Sequence, residues 1–376
     1  MKKKSFSDIL DDISEAGLAR MRRKAPEWAD TPGIEFPTRL ATEQCSSAAT
    51  ADYKSALVRR IRPGCRLLRD LTGGLGIDCA AFSRVSERVV YNEMDPALEA
   101  AAERNFARLG IDNVSFSCIE ATEETLPSLT ADGPDIIFLD PARRSGSGRK
   151  VFLLEDCSPD VLRLKAGLLA AAPDILVKLS PMADISMVCK RLGPEVREVH
   201  VVGADGECKE ILAWLQRGWS GECSIVAEGL RFTSAEESAC APLLLPDRAA
   251  VGGILFEPSP TLLKAGSFNL ICERLGLRKL GRFTHLYLAP EHADSLRQFG
   301  KSYTVKDVLS FDGRSIKALG KAYPKCSVTS RNLPVGSDAL AKKMGVTSGG
   351  DTHIFAFTAD FTDAPSELLM VVTERI

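Results

Sequence analysis

Two periodicities divide the chain. In the N-terminal stretch Phe6, Ile9, Leu10 and Ile13 recur at helical spacing, the run from Thr31-Pro32-Gly33 to Pro37 breaks the pattern, and Ala56, Leu57, Val58 and Ile61 resume it. Residues 1–63 are therefore expected to form a helical cap on the domain that begins at residue 64. From there, apolar runs of strand length take over at 66–71, 88–93, 114–120, 135–140, 175–180, 196–202 and 210–216, with helix-forming stretches between the first six. Asp95-Pro96 before the alanine-rich run 97–109 is a helix start, the aspartate capping and the proline occupying the first turn. Strands alternating with helices predict an α/β domain over 64–228, with a mainly parallel sheet of seven strands and ligands at the carboxyl ends of the strands. The last two runs have no helix between them and predict an antiparallel hairpin at the sheet edge.

The register then changes. Residues 225–227 and 230–232 read as short strands, 242–260 is rich in proline and glycine, 261–275 is amphipathic and 283–288 strand-like, which makes 229–300 a small α+β module. In 301–376 the runs 305–311, 326–329, 354–357 and 368–373 alternate with helical stretches at 315–319 and 337–344, the latter with Ser337 as its expected cap. This is a second small α+β domain.

The composition is that of an ordinary globular protein, 45% hydrophobic and 26% charged, and a net charge of −2 provides no global basic field, so any contact with nucleic acid rests on local patches. No apolar run approaches the length of a membrane span, and Met1-Lys2-Lys3-Lys4 leads into no apolar signal core, so a cytoplasmic protein is expected. The 11 cysteines contain no C-x-x-C pair and read as free thiols, with no metal site expected. His200 and His285 lie in apolar runs as core or edge residues, while His292 and His353 show no partner spacing.

The chemistry gathers at strand ends. Leu67, Leu68 and Leu71 lead into a turn with Gly73, Gly74 and Gly76, where the backbone can approach a ligand closely. Asp70 ends the strand, placed to take a hydrogen bond from a ligand amine or hydroxyl, and Glu93 ends the next, where an acid accepts from ribose hydroxyls. A dinucleotide fingerprint fails, because Cys79 stands at its third glycine position. Ile119-Glu120-Ala121 closes the third strand, and Asp140-Pro141-Ala142-Arg143 leaves the fourth beside the glycine turn.

In order and spacing these four motifs resemble the class I, Rossmann-like S-adenosylmethionine-dependent methyltransferases over about 64–216. The resemblance implies a Rossmann-like seven-stranded methyltransferase sheet with S-adenosyl-L-methionine as cofactor. Asp70, Thr72, Gly73, Gly74 and Gly76 would hold its methionine part, Glu93 the ribose, and Glu120 and Ala121 the adenine, with Asp78, Met94 and Asp140 as further cofactor-binding residues. Asp140, Pro141 and Arg143 would stand at the transfer site, with Asp140 positioning the acceptor or supporting the glycine loop. Relatives acting on base nitrogens often carry an aromatic residue where Arg143 stands, and most have aspartate where Glu120 stands. D-P-A-R also resembles RNA 5-methyluridine methyltransferases, which need a cysteine after the fifth strand. Here the sequence is Val177-Lys178-Leu179-Ser180-Pro181, and serine without an activating base is too weak a nucleophile to add to a uracil ring. Direct transfer to a nitrogen, or to an oxygen, is the chemistry left.

Arg143-Arg144-Ser145-Gly146-Ser147-Gly148-Arg149-Lys150 reads as a phosphate-gripping loop, with Arg144, Arg149 and Lys150 as RNA contacts. Clusters at Arg20, Arg22, Arg23 and Lys24 and at Arg59, Arg60 and Arg62 would add a basic surface if they converge. The stretch from Val328 through Arg331-Asn332-Leu333-Pro334, then Leu340 to Met344 and Gly349-Gly350-Asp351, resembles the THUMP-like domain of a group of bacterial methyltransferases. The run from Glu257 to Tyr287 resembles their ferredoxin-like module, and the segment from Ser46-Ser47 to Tyr53-Lys54 extends the similarity. These resemblances imply structured RNA, tRNA or rRNA, as partner, with Arg331, Lys342 and Lys343 as further RNA-binding residues. The alternatives are a non-catalytic RNA-binding protein of the same fold, a methyltransferase of proteins or small molecules, and a dinucleotide oxidoreductase.

Overall fold

The structure, a computed structural model, describes residues 6–143, 154–289 and 294–376. It divides into two units, Met1–Ile225 and Val226–Ile376, so the four predicted segments group into two.

The first unit opens with helices α1 (Phe6–Lys24), α2 (Pro26–Asp30), α3 (Arg39–Gln44) and α4 (Ala48–Ile61). Then follow β1 (Cys65–Asp70), α5 (Ile77–Ser83), β2 (Ser86–Asn92), α6 (Pro96–Arg108), β3 (Val114–Ser117), α7 (Leu126–Leu129) and β4 (Ile136–Leu139). A ribbon of β5 (Ala142–Arg143) and β6 (Cys157–Ser158) precedes α8 (Val161–Ala171), β7 (Asp174–Leu179), α9 (Ile185–Leu192), β8 (Val196–Ala204) and β9 (Glu207–Gln216). The strands run in the order β8-β9-β7-β4-β1-β2-β3, parallel from β7 through β3, with β9 antiparallel to both its neighbours. The hairpin is thus present, with its second strand inserted against β7. These seven strands are those expected; β10 (Ser224–Ala227), where the division between units falls, follows β8 in the order, and β11 (Leu230–Thr233) lies in the second unit.

The central strands are apolar because both faces are covered. All four residues of β4 and all but Arg66 in β1 are buried. Asp95 caps α6 as predicted, its Oδ1 accepting from Ala97 N at 2.8 Å. The N-terminal helices contribute Met21, Trp28, Leu57 and Val58 to the core that also holds Phe82, Tyr91, Phe106 and Phe138. They share a core with the sheet, which is more than a cap does.

In the second unit α10 (Ser234–Ala239), β12 (Ile254–Pro258), α11 (Pro260–Ala265), α12 (Leu270–Leu275), β13 (Arg278–Lys279) and β14 (Tyr287–Ala289) come first. After them come β15 (Gly300–Ser310), α13 (Gly313–Ala322), β16 (Ser327–Arg331), α14 (Ser337–Met344), β17 (Thr352–Ala359) and β18 (Glu367–Arg375). One seven-stranded sheet, β13-β14-β12-β15-β18-β17-β16, spans both predicted C-terminal segments. Alternate residues of β17 face opposite cores, Phe355 and Phe357 one, Ile354 and Ala356 the other. Gly336, not Ser337, caps α14, and the Ser337 Oγ accepts from Ser330 N at 3.0 Å. Among the described residues no helix is long and apolar enough to cross a membrane.

Gly76, the N-cap of α5, has φ +89°, and a Cβ there would lie 2.5 Å from Phe106 Cε2. Gly76→Ala therefore combines left-handed strain with overpacking and is expected to lower unfolding free energy by about 2–4 kcal/mol. The check is a lower urea midpoint at unchanged denaturant slope.

Candidate active site

The turn after β1 is built on the ring of Tyr91. A Cβ at Gly73 would lie 2.1 Å from that ring, and the Tyr91 hydroxyl donates to Gly74 O at 2.5 Å. Gly74 N donates to Glu93 Oε2 at 2.9 Å and Asp95 N to Glu93 Oε1 at 3.0 Å, so one carboxylate ties the turn to the entry of α6. Fully buried Asn92 joins three strand ends, donating to Leu71 O and Ile119 O and accepting from Ile119 N. Thr72 Oγ1 accepts from Asp140 N at 2.6 Å and fixes the end of β4 against that of β1.

A cavity of about 760 Å³ opens at these carboxyl ends. Thr72, Gly73, Gly74, Gly76 and Asp78 line it, as do Glu93, Met94, Glu120, Ala121, Asp140 and Pro141. The structure thus brings together four motifs that are far apart in sequence.

Asp70 is the correction among the cavity residues. It is 1% exposed and does not line the cavity. Its Oδ1 accepts from Thr72 N at 2.9 Å and its Oδ2 from Cys79 Sγ at 3.4 Å, so the side chain turns back under the turn and holds its shape. Burial pushes its pKa up to about 7, with the Thr72 N–H opposing and the charges of Asp78 and Asp140 adding to the rise.

The cavity is also lined by charged residues from β7 and β9. Lys178, near the end of β7, donates to Asp140 Oδ2 at 2.5 Å. Glu210 on β9 lines the same cavity and accepts from Lys54 Nζ at 2.6 Å. Lys54, with no exposed surface, also lies 3.1 Å from Asp78 Oδ1 and donates to Ser46 Oγ, which donates to Asp78 Oδ2 at 2.7 Å. Burial raises the Glu210 pKa, with Lys54 and Lys178 opposing. Sequence reasoning assigned no role to Lys178 or Glu210. For Lys178 the signal is a charge within the apolar run I-L-V-K-L, whereas Glu210 follows Glu207 and Lys209 at the start of β9 and carries no such signal.

Other predicted residues lie elsewhere. Arg143 pairs through its backbone with Cys157 in the ribbon, and Arg144, Arg149 and Lys150 lie outside the described residues, as does His292. Arg331 in the second unit donates to Glu257 Oε1 at 2.9 Å, whereas Lys342 and Lys343 are exposed in the last turn of α14. Several of the N-terminal basic residues have partners within the first unit. Lys24 donates to Thr42, Glu43 and Cys45 carbonyls, Arg60 pairs with Glu198 and Arg62 with Asp174. No cluster of three potential metal ligands occurs among the described residues.

The family model described as a ferredoxin-like domain matches residues 255–295, and one described as THUMP domain-like matches 300–375. A crystal structure of a Porphyromonas gingivalis W83 protein assigned as a methyltransferase superposes with a TM-score of 0.83 at 30% identity, covering 100% of this chain and 92% of that one. An uncharacterized S-adenosylmethionine-dependent methyltransferase of Mycobacterium tuberculosis is 26% identical over 346 residues, 90% of each chain. A 23S rRNA uracil-C5 methyltransferase of Shewanella amazonensis is 25% identical over 120 residues, 29% of this chain and 30% of that one.

The buried carboxyl of Asp70 makes stability depend on pH. Its folded pKa of about 7 lies above its ordinary 3.8, so the folded chain holds a proton that the unfolded chain has lost between these values. Its contribution is complete below about 4 and is lost as pH rises through about 7, at a limiting slope of about 1.4 kcal/mol per pH unit. Asp70→Asn mimics the protonated form. The stability of the wild type relative to this variant is expected to fall between pH 5 and pH 8 in denaturant titrations, and a constant difference would refute the assignment.

Proposed function

We propose a function from one premise: the chain belongs to the class I S-adenosylmethionine-dependent methyltransferases that carry C-terminal ferredoxin-like and THUMP-like domains. Its acceptor is a nitrogen or oxygen of a nucleotide in structured RNA, transfer or ribosomal. The observation that carries this reading is the THUMP domain-like match over 300–375, and the local similarity to a ribosomal RNA methyltransferase supports it.

The cavity suits the cofactor. Its volume falls within the range of small-molecule sites, and positive φ at Gly74 and Gly76 brings bare backbone to its wall. Thr72 to Gly76 with Asp78 would hold the methionine part, Glu93 and Met94 the ribose, and Glu120 and Ala121 the adenine. Bound there, S-adenosylmethionine supplies a methyl group on a cationic sulfur that departs as a neutral thioether. Asp140, which lines the same cavity, orients the acceptor for in-line attack and accepts its hydrogen bond.

Among the described residues lining the cavity, a covalent route to a uracil carbon finds no activated nucleophile. Ser180 lines the cavity where the uracil enzymes carry cysteine. Cys45 also lines it, but burial raises its thiol pKa and its Sγ is engaged with Thr42 O. In the second unit Lys342 and Lys343 offer exposed cations to RNA phosphate.

Glu93→Ala is expected to weaken S-adenosylmethionine binding by about 1–3 kcal/mol, the scale of hydrogen bonds to a charged group. Undiminished affinity by calorimetry would sink the ribose assignment. Asp140→Ala should bind the cofactor almost normally and transfer no methyl group; loss of the cofactor would place Asp140 in the cofactor shell instead. The substrate class is tested by supplying labelled cofactor to a lysate before and after RNase treatment. Label that survives RNase would overturn the RNA reading.

A further inference from the structure

The charged wall of the cavity does more than an acceptor-orienting aspartate requires. Lys178 reaches the cavity beside Asp140, with the charges of Asp78 and Glu210 nearby, and Glu210 is itself held by buried Lys54. Taking such groups out of water is costly, and apolar residues of equal volume would commonly be more stable. A cluster of this kind on a ligand cavity is therefore a candidate for chemistry rather than for stability.

The hydrogen-bonding character of the wall selects the acceptor. Lys178 is a donor and Asp140 an acceptor, and a hydroxyl is both at once, so it can donate to Asp140 while accepting from Lys178. An exocyclic amine presents N–H donors and meets the Lys178 ammonium donor to donor. A ring nitrogen brings a flat base, and none of the described residues lining the cavity is aromatic, so no ring there stacks it. An amine also needs less help than an alcohol, whose oxygen is a weak nucleophile until a base takes its proton. Within an RNA strand the 3′ and 5′ oxygens are esterified to phosphate, which leaves the 2′-hydroxyl free.

We infer that the acceptor is the 2′-hydroxyl of a ribose in RNA and that Lys178 and Asp140 are the catalytic residues; this rests on the RNA reading above. As the hydroxyl oxygen forms its bond to the methyl carbon, the carbon–sulfur bond breaks with its electron pair retained by sulfur, and the hydroxyl proton passes to the Asp140 carboxylate. A cation and a carboxylate become a neutral thioether and a neutral acid, and the oxygen becomes an ether. Lys178 keeps its own proton throughout. Burial opposes its charge, but Asp140, Asp78 and Glu210 outweigh burial and raise its pKa, so it acts as a fixed donor to charge developing on oxygen.

The test uses the purified full-length chain, S-adenosylmethionine with a labelled methyl group, and total RNA from a strain lacking the gene. The RNA is digested to nucleosides, which are fragmented by mass spectrometry. The label is expected to stay with the sugar after the glycosidic bond breaks. Label on the base overturns this inference and leaves the RNA reading standing, whereas unlabelled RNA overturns both. Lys178→Met is expected to lower the transfer rate by about 10²–10⁴-fold with cofactor affinity by calorimetry unchanged. A wild-type rate in that variant would remove Lys178 from the chemistry.

Discussion

The first unit depends on one ammonium group that never meets water. Lys54 Nζ sits between Ser46, Asp78 and Glu210, and these residues come from the loop before α4, from α5 and from β9. The desolvation of such a group is offset only when its partners are complete, and removing one side leaves a buried charge unopposed. Lys54 thereby fixes the helix that begins at the glycine turn and the strand that carries Glu210 to the cavity wall. It also explains why the N-terminal helices share the core of the sheet: they deliver the cation on which the two carboxylates rely.

A second constraint acts on the turn itself. Gly73 tolerates no side chain because Tyr91 fills the space, and Glu93 fastens the turn through Gly74 N. Asp70 holds it from below, a role that its position at a strand end does not distinguish from ligand binding. The same local backbone that exposes Gly74 turns Asp70 inward, so neighbours in sequence serve opposite sides of one loop.

That difference shows what the sequence can carry. Strand ends and the residues that leave them are local, so Glu93, Asp140 and the glycines were legible as residues of one crevice at the strand ends, and they line one cavity. The Lys54–Glu210 pair spans 156 positions, and nothing in either neighbourhood names the other. Lys178 was legible only as an oddity, a charge among Ile175, Leu176, Val177 and Leu179, because its meaning comes from Asp140, just past the end of the neighbouring strand β4. In the second unit β15 to β18 were readable, but β12, inside the stretch read only as rich in proline and glycine, was not, nor was the grouping of the strands. β12 pairs with β15 across the predicted boundary, and pairing is a long-range choice that period-two patterning does not specify.

The charge balance of the cavity is set by these constraints. Three carboxylates, Asp78, Asp140 and Glu210, meet two ammonium groups, Lys54 and Lys178, and of the two only Lys178 reaches the cavity surface. A wall with more acid than base favours a cationic ligand. Yet Lys178, pinned to Asp140, still presents a donor beside the acid. Were Lys54 absent, Glu210 and Asp78 would draw on Lys178 alone and compete with Asp140 for it. The buried lysine, which does not line the cavity, pairs with Glu210 and Asp78, while Lys178 pairs with Asp140.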